Sequence, residues 1–415
     1  MLKSNRGLRF SVNLSRELRK SLNNDFFSII TLIGINADLY GVNAYIIGGV
    51  VRDLILRKPI YDIDIVIEGD AIAFCSFMEE RSVGDVSRRA EDFGTAKFKF
   101  KEFLDYEIDF ASTRTERYPK SGHLPVVDKI ACSLKEDILR RDFRVNALAI
   151  KINEKAFGEL IDYTGGIEDI ETKELKILHD ESFVDDPTRI IRGLRFVHKL
   201  GFSLEEKTKI LQQKYLKDFD TEDICYERIK QVIKLAFNLN SSELMVDFIK
   251  NDVYKLLCSK PRAFDVSKLN NVILDNLAII SKESIWLIYL ASLISFQEAE
   301  KLNLTNKEKQ IIKSVERLLA QNIDINSNFE VYNLFKNEPL EAVVAYSAFD
   351  KNNIVQKYLL ILKDIKPILN GNDLINLGVP KGKLIGDILN KILEEKLNGR
   401  LNSCEEEVNF VKTFI

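Results

Sequence analysis

Cysteine is scarce and scattered in this chain of 415 residues. Cys75, Cys132, Cys225, Cys258 and Cys404 stand far apart and form no metal-ligand spacing, which excludes a cysteine-held metal centre and leaves five reduced, mostly buried thiols. Histidine is rarer still. His123, His179 and His198 form no His-Asp phosphohydrolase pattern, so no separate phosphatase domain is expected. Long hydrophobic runs are missing as well: no stretch of about 18 apolar residues occurs, and charges are scattered from Met1 to Lys20. Neither a membrane span nor a secretory signal is expected, and the reading places the protein in the cytoplasm. Low-complexity linkers and obvious repeats are absent too. A net charge of −3, with pI near 5.9, does not announce a nucleic-acid binder, although a local basic groove balanced by acids elsewhere is compatible with it.

What remains is the composition of a soluble globular chain, 46% hydrophobic and 30% charged, with length for roughly two to four domains. Its organisation changes near residue 150. Before that point short β-branched runs dominate: Ala44 to Ile47, Ile63 to Ile67, Thr95 to Phe100, Tyr106 to Ala111 and Val145 to Ile150. After about residue 166 the spacing of apolar residues turns helical almost throughout, as in Ile190-Ile191-Leu194-Phe196-Val197 and Ile285-Leu287-Ile288-Leu290-Leu293. The fold class is therefore α+β, a mixed sheet-and-helix head followed by an all-helical remainder.

The head carries the chemistry. In Ile46-Ile47-Gly48-Gly49-Val50-Val51-Arg52-Asp53 a strand ends in two glycines, whose backbone N–H groups can approach a phosphate at the start of a helix from Val50 to Leu56. In Tyr61-Asp62-Ile63-Asp64-Ile65-Val66, strand periodicity turns Ile63, Ile65 and Ile67 to a core and puts both aspartates on the opposite face. Two adjacent anions repel and are stable together mainly with divalent cations between them and a polyphosphate. The strand Tyr106 to Phe110 supplies a third carboxylate, Asp109, with Glu107 two residues away as the fallback. Arg114 is either a cation steadying that site or the ion-pair partner of an acid such as Glu116. In Arg140-Arg141-Asp142-Phe143-Arg144-Val145-Asn146 the arginines suit a triphosphate, with a neighbouring Asp fixing their forks, and Asn146 is in reach of sugar hydroxyls. Lys97, Lys99 and Lys101 alternate on a strand, which either lines a groove or is a solvated face.

Taken in this order, these segments resemble the motifs of the class II tRNA nucleotidyltransferases, the CCA-adding enzymes and bacterial poly(A) polymerases of the polymerase β superfamily. The similarity continues through Gly165-Gly166-Ile167-Glu168-Asp169 and Asp185-Asp186-Pro187-Thr188-Arg189 to Phe196, is strong over roughly residues 40 to 200, and survives beyond as fragments at Tyr226 to Ile229 and Gly371 to Gly378. The resemblance implies a polymerase β-like head over residues 26–152, after a helical extension over 1–25. A neck over 153–225, a body over 226–330 and a tail over 331–415 follow, the tail gripping the acceptor and TΨC arms of tRNA. It implies Mg²⁺, two ions, with Asp62 and Asp64 as the metal ligands and Asp109 completing the catalytic set. CTP and ATP are the implied substrates, bound by Gly48, Gly49, Arg52, Asp53, Arg114, Arg140, Arg141, Asp142, Asn146, Asp186, Arg189, Arg192 and Arg195.

Asp186 and Arg189, at i and i+3 on a helix, would share one face. Such a pair satisfies the Watson–Crick edges of cytosine and adenine and opposes those of guanine and uracil, so CMP and AMP would be selected without a template. Where the family has Glu-Asp this chain has Asp185-Asp186, and Asp185 is read as a helix cap. The polar loop Thr115 to Pro125 either aids the switch from C to A addition or is an inert connection. The segment from Asn370 to Lys383 offers helix ends for phosphate, or simple turns. The implied activity is completion of the CCA end of tRNA. An A-adding or CC-adding specialist, a poly(A) polymerase and an inactive RNA-binding protein are the alternatives.

Overall fold

The computed structural model describes residues 12–103, 106–120, 122–219, 224–321 and 327–415. By compactness the chain divides into two units, Met1–Arg228 and Ile229–Ile415.

The first unit opens with helices α1 (Ser15–Ser21) and α2 (Asn24–Tyr40), the second capped by the Asn23 side chain and closed by Gly41 in the left-handed region. Strand β1 (Asn43–Ile47), helix α3 (Gly49–Ile55), strand β2 (Asp64–Glu68) and helix α4 (Ala71–Glu80) follow, and then strands β3 (Gly84–Ala90), β4 (Thr95–Phe100), β5 (Glu107–Ser112), β6 (Arg114–Arg117) and β7 (Val126–Ile130). Helix α5 (Leu134–Leu139) leads to β8 (Leu148–Lys151) and β9 (Leu160–Asp162). A mixed seven-stranded sheet runs β3-β4-β5-β2-β1-β8-β9, with β2 and β5 its parallel pair, while β6 and β7 form a separate ribbon.

Burial fixes which way the acids point. Ile63, Ile65 and Ile67 are at most 1% exposed, each worth about 1.5–3 kcal/mol when withdrawn from water. A slip of one residue would turn all three out of that core, so the register that keeps them there holds Asp64 outward. Helices α2 and α4 cover that inner face, where Phe74 and Phe98 pack against Phe110. Leu134 and Ile138 of α5 close the other face over Tyr45, Ile47, Val66, Ala147 and Ala149.

Two expectations are corrected here. The strand expected from Val145 begins only at Leu148, because Arg144–Asn146 form a 3₁₀ turn in which Ala147 N–H donates to the Arg144 carbonyl. The expected polar loop from Thr115 is, up to Arg117, strand β6 of the ribbon, so only the stretch before Val126 is a connection. Strand β3 was not foreseen, since Gly-Asp-Val-Ser-Arg-Arg-Ala lacks alternation, and a bulge at Ser87 interrupts its pairing.

Beyond the sheet come α6 (Gly166–Thr172), the short β10 (Glu174–Leu175), α7 (Ser182–Asp185), α8 (Thr188–Leu200), β11 (Ser203–Leu204), α9 (Glu206–Lys217) and α10 (Tyr226–Phe237). The described residues of the second unit are helical. Its helix Ile285–Leu293 has all nine side chains buried, and Leu374, Ile388, Ile392 and Val411 centre a C-terminal cluster. No helix among the described residues is long and apolar enough to cross a membrane. Of the expected helical extension, residues 1–11 lie outside the described residues.

Candidate active site

Asp64 opens β2, and its Cα partner across the parallel pair is Asp109 of β5. Asp62 sits just before the strand, its Oδ1 accepting from the N–H of Ile63 at 2.9 Å. The protein crowding Asp64, and then the charges of Asp62 and Asp109, push its carboxyl above the usual range, with Arg141 pulling the other way. The three acids thus share one field. Glu107, two residues earlier on β5, accepts from the Ser87 hydroxyl and stands on the Lys99 register. Asp109 is held by Lys97 Nζ at 3.0 Å.

The glycine turn lies where β1 enters α3. Gly48 has φ 83°, and its N–H donates to the Leu148 carbonyl at 3.0 Å, so that N–H is spent on the sheet and does not face a phosphate, a correction to the expectation for this glycine. A Cβ there would lie 3.6 Å from Arg141 Nη1, which shows how closely the turn abuts the arginine.

Arg140 and Arg141 are held together by a residue the sequence reading passed over. Asp137, fully buried, takes Arg140 Nη2 at 2.7 Å and Arg141 Nη2 at 3.0 Å on its two oxygens. Burial pushes its carboxyl up, yet Arg141 and Arg140 outweigh that and hold it below the usual range. Its spacing, three and four residues before the arginines on α5, was the available signal. Asp142, expected to fix these forks, serves Arg192 instead, which donates to Oδ2 through Nε at 2.9 Å and Nη2 at 2.5 Å. The Asn146 amide is taken on both sides, by Asp142 and by Arg52, and Arg52 also pairs with Asp53 at 2.8 Å. Arg114 lies in the ion pair with Glu116, 2.7 Å, and Glu116 also takes Arg140 at 3.1 Å.

Asp186 and Arg189 do not lie on one helical face. Asp186 is extended and precedes α8, its Oδ1 accepting from the Thr188 N–H and hydroxyl. It, rather than Asp185, caps the helix, because Asp185 ends α7 and stands 3.6 Å from His179. Asp186 Oδ2 pairs with Arg228 at 2.5 Å, while the buried Arg189 donates to Ser182 Oγ, Tyr118 OH and the Arg140 carbonyl. Tyr118 and Arg228 were given no role in the sequence reading; the fragment Tyr226 to Ile229 was the trace of the latter. Arg195 Nε is buried without a hydrogen-bond partner among the described residues. Burial, then Arg192 and Arg52, lower the hold of Arg195 on its proton, which leaves a cation in want of an anion.

The described residues contain no ready-made metal cage of three acidic, histidine or cysteine ligands. The donors present fit Mg²⁺ nonetheless, because that ion is usually bound by one or two carboxylates plus substrate phosphates, and Asp64 with Asp62 offers that hard-oxygen set.

Residues 44–176 match the family of the poly A polymerase head domain. The chain is 28% identical to the A-adding tRNA nucleotidyltransferase of Halalkalibacterium halodurans, over 97% of its own length and 96% of that protein's. It is 31% identical to the A-adding tRNA nucleotidyltransferase of Geobacter sulfurreducens over 88% of its own length, but spans only 44% of that relative's length. The solved structure of the Thermotoga maritima CCA-adding enzyme complexed with tRNA superimposes with a TM-score of 0.77 at 27% identity, covering 97% of this chain and 98% of that one. Acids on adjacent strands, a glycine turn and an arginine pair, on this sheet and ahead of a helical C-terminal part, define a polymerase-type head. Over nearly its whole length the chain is similar to tRNA nucleotidyltransferases and CCA-adding enzymes, and its residues 44–176 match the poly A polymerase head family.

Proposed function

We propose that the protein adds CMP and AMP from CTP and ATP to the 3′ end of tRNA without a template, in the cytoplasm, completing or repairing the CCA end. The observation that carries this reading is Asp64 set opposite Asp109, with Asp62 beside it and Arg141 facing the same acids. Mg²⁺, two ions, when bound at Asp62 and Asp64, supplies the positive charge that offsets the triphosphate and its leaving pyrophosphate. Arg141 and Arg140, oriented by Asp137, grip the triphosphate. Asp109, whose Oδ2 holds Lys97, accepts the hydrogen of the attacking 3′-hydroxyl.

Base choice falls to Asp186 and Arg189. Both are satisfied by protein groups, so an incoming cytosine or adenine exchanges with Arg228 on one and Tyr118 on the other. That exchange favours bases matching a donor and an acceptor, since a mismatched base leaves buried groups unpaired at about 1–3 kcal/mol each. Residues 153–225 then act as the neck, and residues 226–330 and 331–415 as body and tail.

Three tRNA transcripts, ending at the discriminator base, at C and at CC, test this with labelled CTP or ATP and Mg²⁺. Restoration of CCA on all three is expected. The names of the Geobacter and Halalkalibacterium relatives favour a second reading, an A-adding specialist, which would extend the CC-ended transcript alone. Long A tails on unrelated RNA, or no incorporation, would overturn both.

A further inference from the structure

The open face of the sheet carries a row that the roles above do not exhaust. Reading across strands β3, β4, β5 and β2, the register sets Arg88 opposite Lys97, Lys97 opposite Asp109, and Asp109 opposite Asp64. Two cations thus continue the line of two carboxylates, one strand interval of about 4.8 Å apart. Like charges directly opposite on neighbouring strands are destabilising, so the Arg88–Lys97 pair calls for a reason. Lys97 is compensated by Asp109 at 3.0 Å and Glu107 at 3.9 Å. Arg88 is not, for its side chain is exposed and makes no ion pair among the described residues, whereas the adjacent Arg89 points to the other face and pairs with Glu79. Consecutive strand residues face opposite ways, and the bulge at Ser87 shifts the register so that Arg88, rather than Arg89, falls on the face of Lys97.

Between the cations and Asp109 lies a cavity of about 240 Å³ lined by Arg88, Ala90, Thr95, Ala96, Lys97 and Asp109. It lies on the far side of Asp64 from Arg141 and the glycine turn, since β1 and β8 follow β2 in the sheet while β5, β4 and β3 precede it. The triphosphate takes the arginine side, so the attacking strand must come from the other.

We propose that Arg88 and Lys97 form the seat for the terminal phosphodiester of the RNA acceptor, holding the last nucleotide so that its 3′-hydroxyl meets Asp109. This rests on the nucleotidyltransferase reading above. Lys97 exchanges its contact with Asp109 for the phosphate when RNA arrives, and Arg88 supplies the second, otherwise unbalanced, charge.

The test is RNA binding by fluorescence anisotropy, with the full chain and a CC-ended tRNA transcript without nucleotide, across a salt series. Arg88→Ala is expected to weaken binding about tenfold and to flatten the dependence of log affinity on log salt by about 0.7, the contribution of one phosphate contact to a single strand. In steady state it should raise KM for the transcript with little change in kcat, leave ATP affinity without RNA unaltered, and be largely rescued by Arg88→Lys. A merely structural role would not move the salt slope. Unchanged RNA affinity and salt slope in Arg88→Ala would overturn the seat while leaving the activity standing. A wild-type protein that fails to extend the transcript, yet shows the Arg88-dependent slope, would overturn the activity and keep the seat.

Discussion

Asp64 and Asp137 are both carboxylates beside Arg141, and their environments drive them apart. Asp64 is pushed up by crowding and by two fellow acids, with Arg141 pulling the other way, and a cationic partner relieves that repulsion. Asp137 is deeper but has two guanidiniums on it, and is held down. Its folded value is depressed, so the stability it contributes is present above the unfolded carboxylate value and is lost as pH falls through the folded one. Asp137→Asn should therefore cost about 3–5 kcal/mol near neutrality, because Arg140 and Arg141 are left without their shared counter-charge. Urea unfolding should show that gap at pH about 7 and show it closing progressively as pH falls below about 4, the unfolded carboxylate value, toward the lower folded one. A gap that persists undiminished in acid would mean the loss is one of packing. Asp64 and Asp109 were legible because strand periodicity aims them, whereas Asp62, expected on the same strand, lies just before it. Asp137 carries no motif of its own, and only its spacing of three and four residues before Arg140 and Arg141 marks it as their shared partner.

At the scale of elements, what was readable is what local chemistry dictates. The run Thr95 to Phe100 alternates and is a strand over that whole span, and Gly49–Ile55 follows its glycine turn as a helix. Elements that tertiary context creates were not readable: β3 is polar and bulged, the ribbon β6–β7 is rich in charge, and Asp186 leaves the helix because Pro187 follows it. The segment at Gly371, read either as a phosphate-binding helix end or as a simple turn, illustrates the same limit. Asn370 and Asp373 close a capping box there, so those N–H groups are already satisfied. Close approach between elements is equally hidden in sequence. Gly34, in the middle of α2, would bring a Cβ within 1.9 Å of the Ile152 carbonyl oxygen just past β8. Alanine gains about 1 kcal/mol over glycine in a helix, but overpacking against a backbone atom costs about 1–3 kcal/mol, and the contact is far too short to be absorbed by a side chain. Gly34→Ala should therefore lower the urea midpoint, and a raised midpoint would show that α2 moves freely off the sheet.

For the whole molecule, the division of the chain bears on how its properties separate. Every residue placed at the site, from Gly48 to Arg228, belongs to the first unit, while the second has its own core around the wholly buried helix Ile285–Leu293. A chain built this way need not unfold in one step. Leu290, fully buried in that helix, anchors the second unit, and truncating it to alanine should cost that unit about 2–5 kcal/mol through lost burial and the cavity left behind. Mutations remote from a site add to its energetics with coupling of only about 0.3–0.5 kcal/mol. Leu290→Ala should then leave the affinity for ATP alone within about twofold of wild type, as read by calorimetry. The same variant should weaken tRNA binding and lower the unfolding temperature, since the reading of body and tail assigns the grip on RNA to the helices it loosens. Collapse of ATP affinity together with RNA affinity would show instead that the nucleotide site depends on the second unit, and that the two cannot be taken apart.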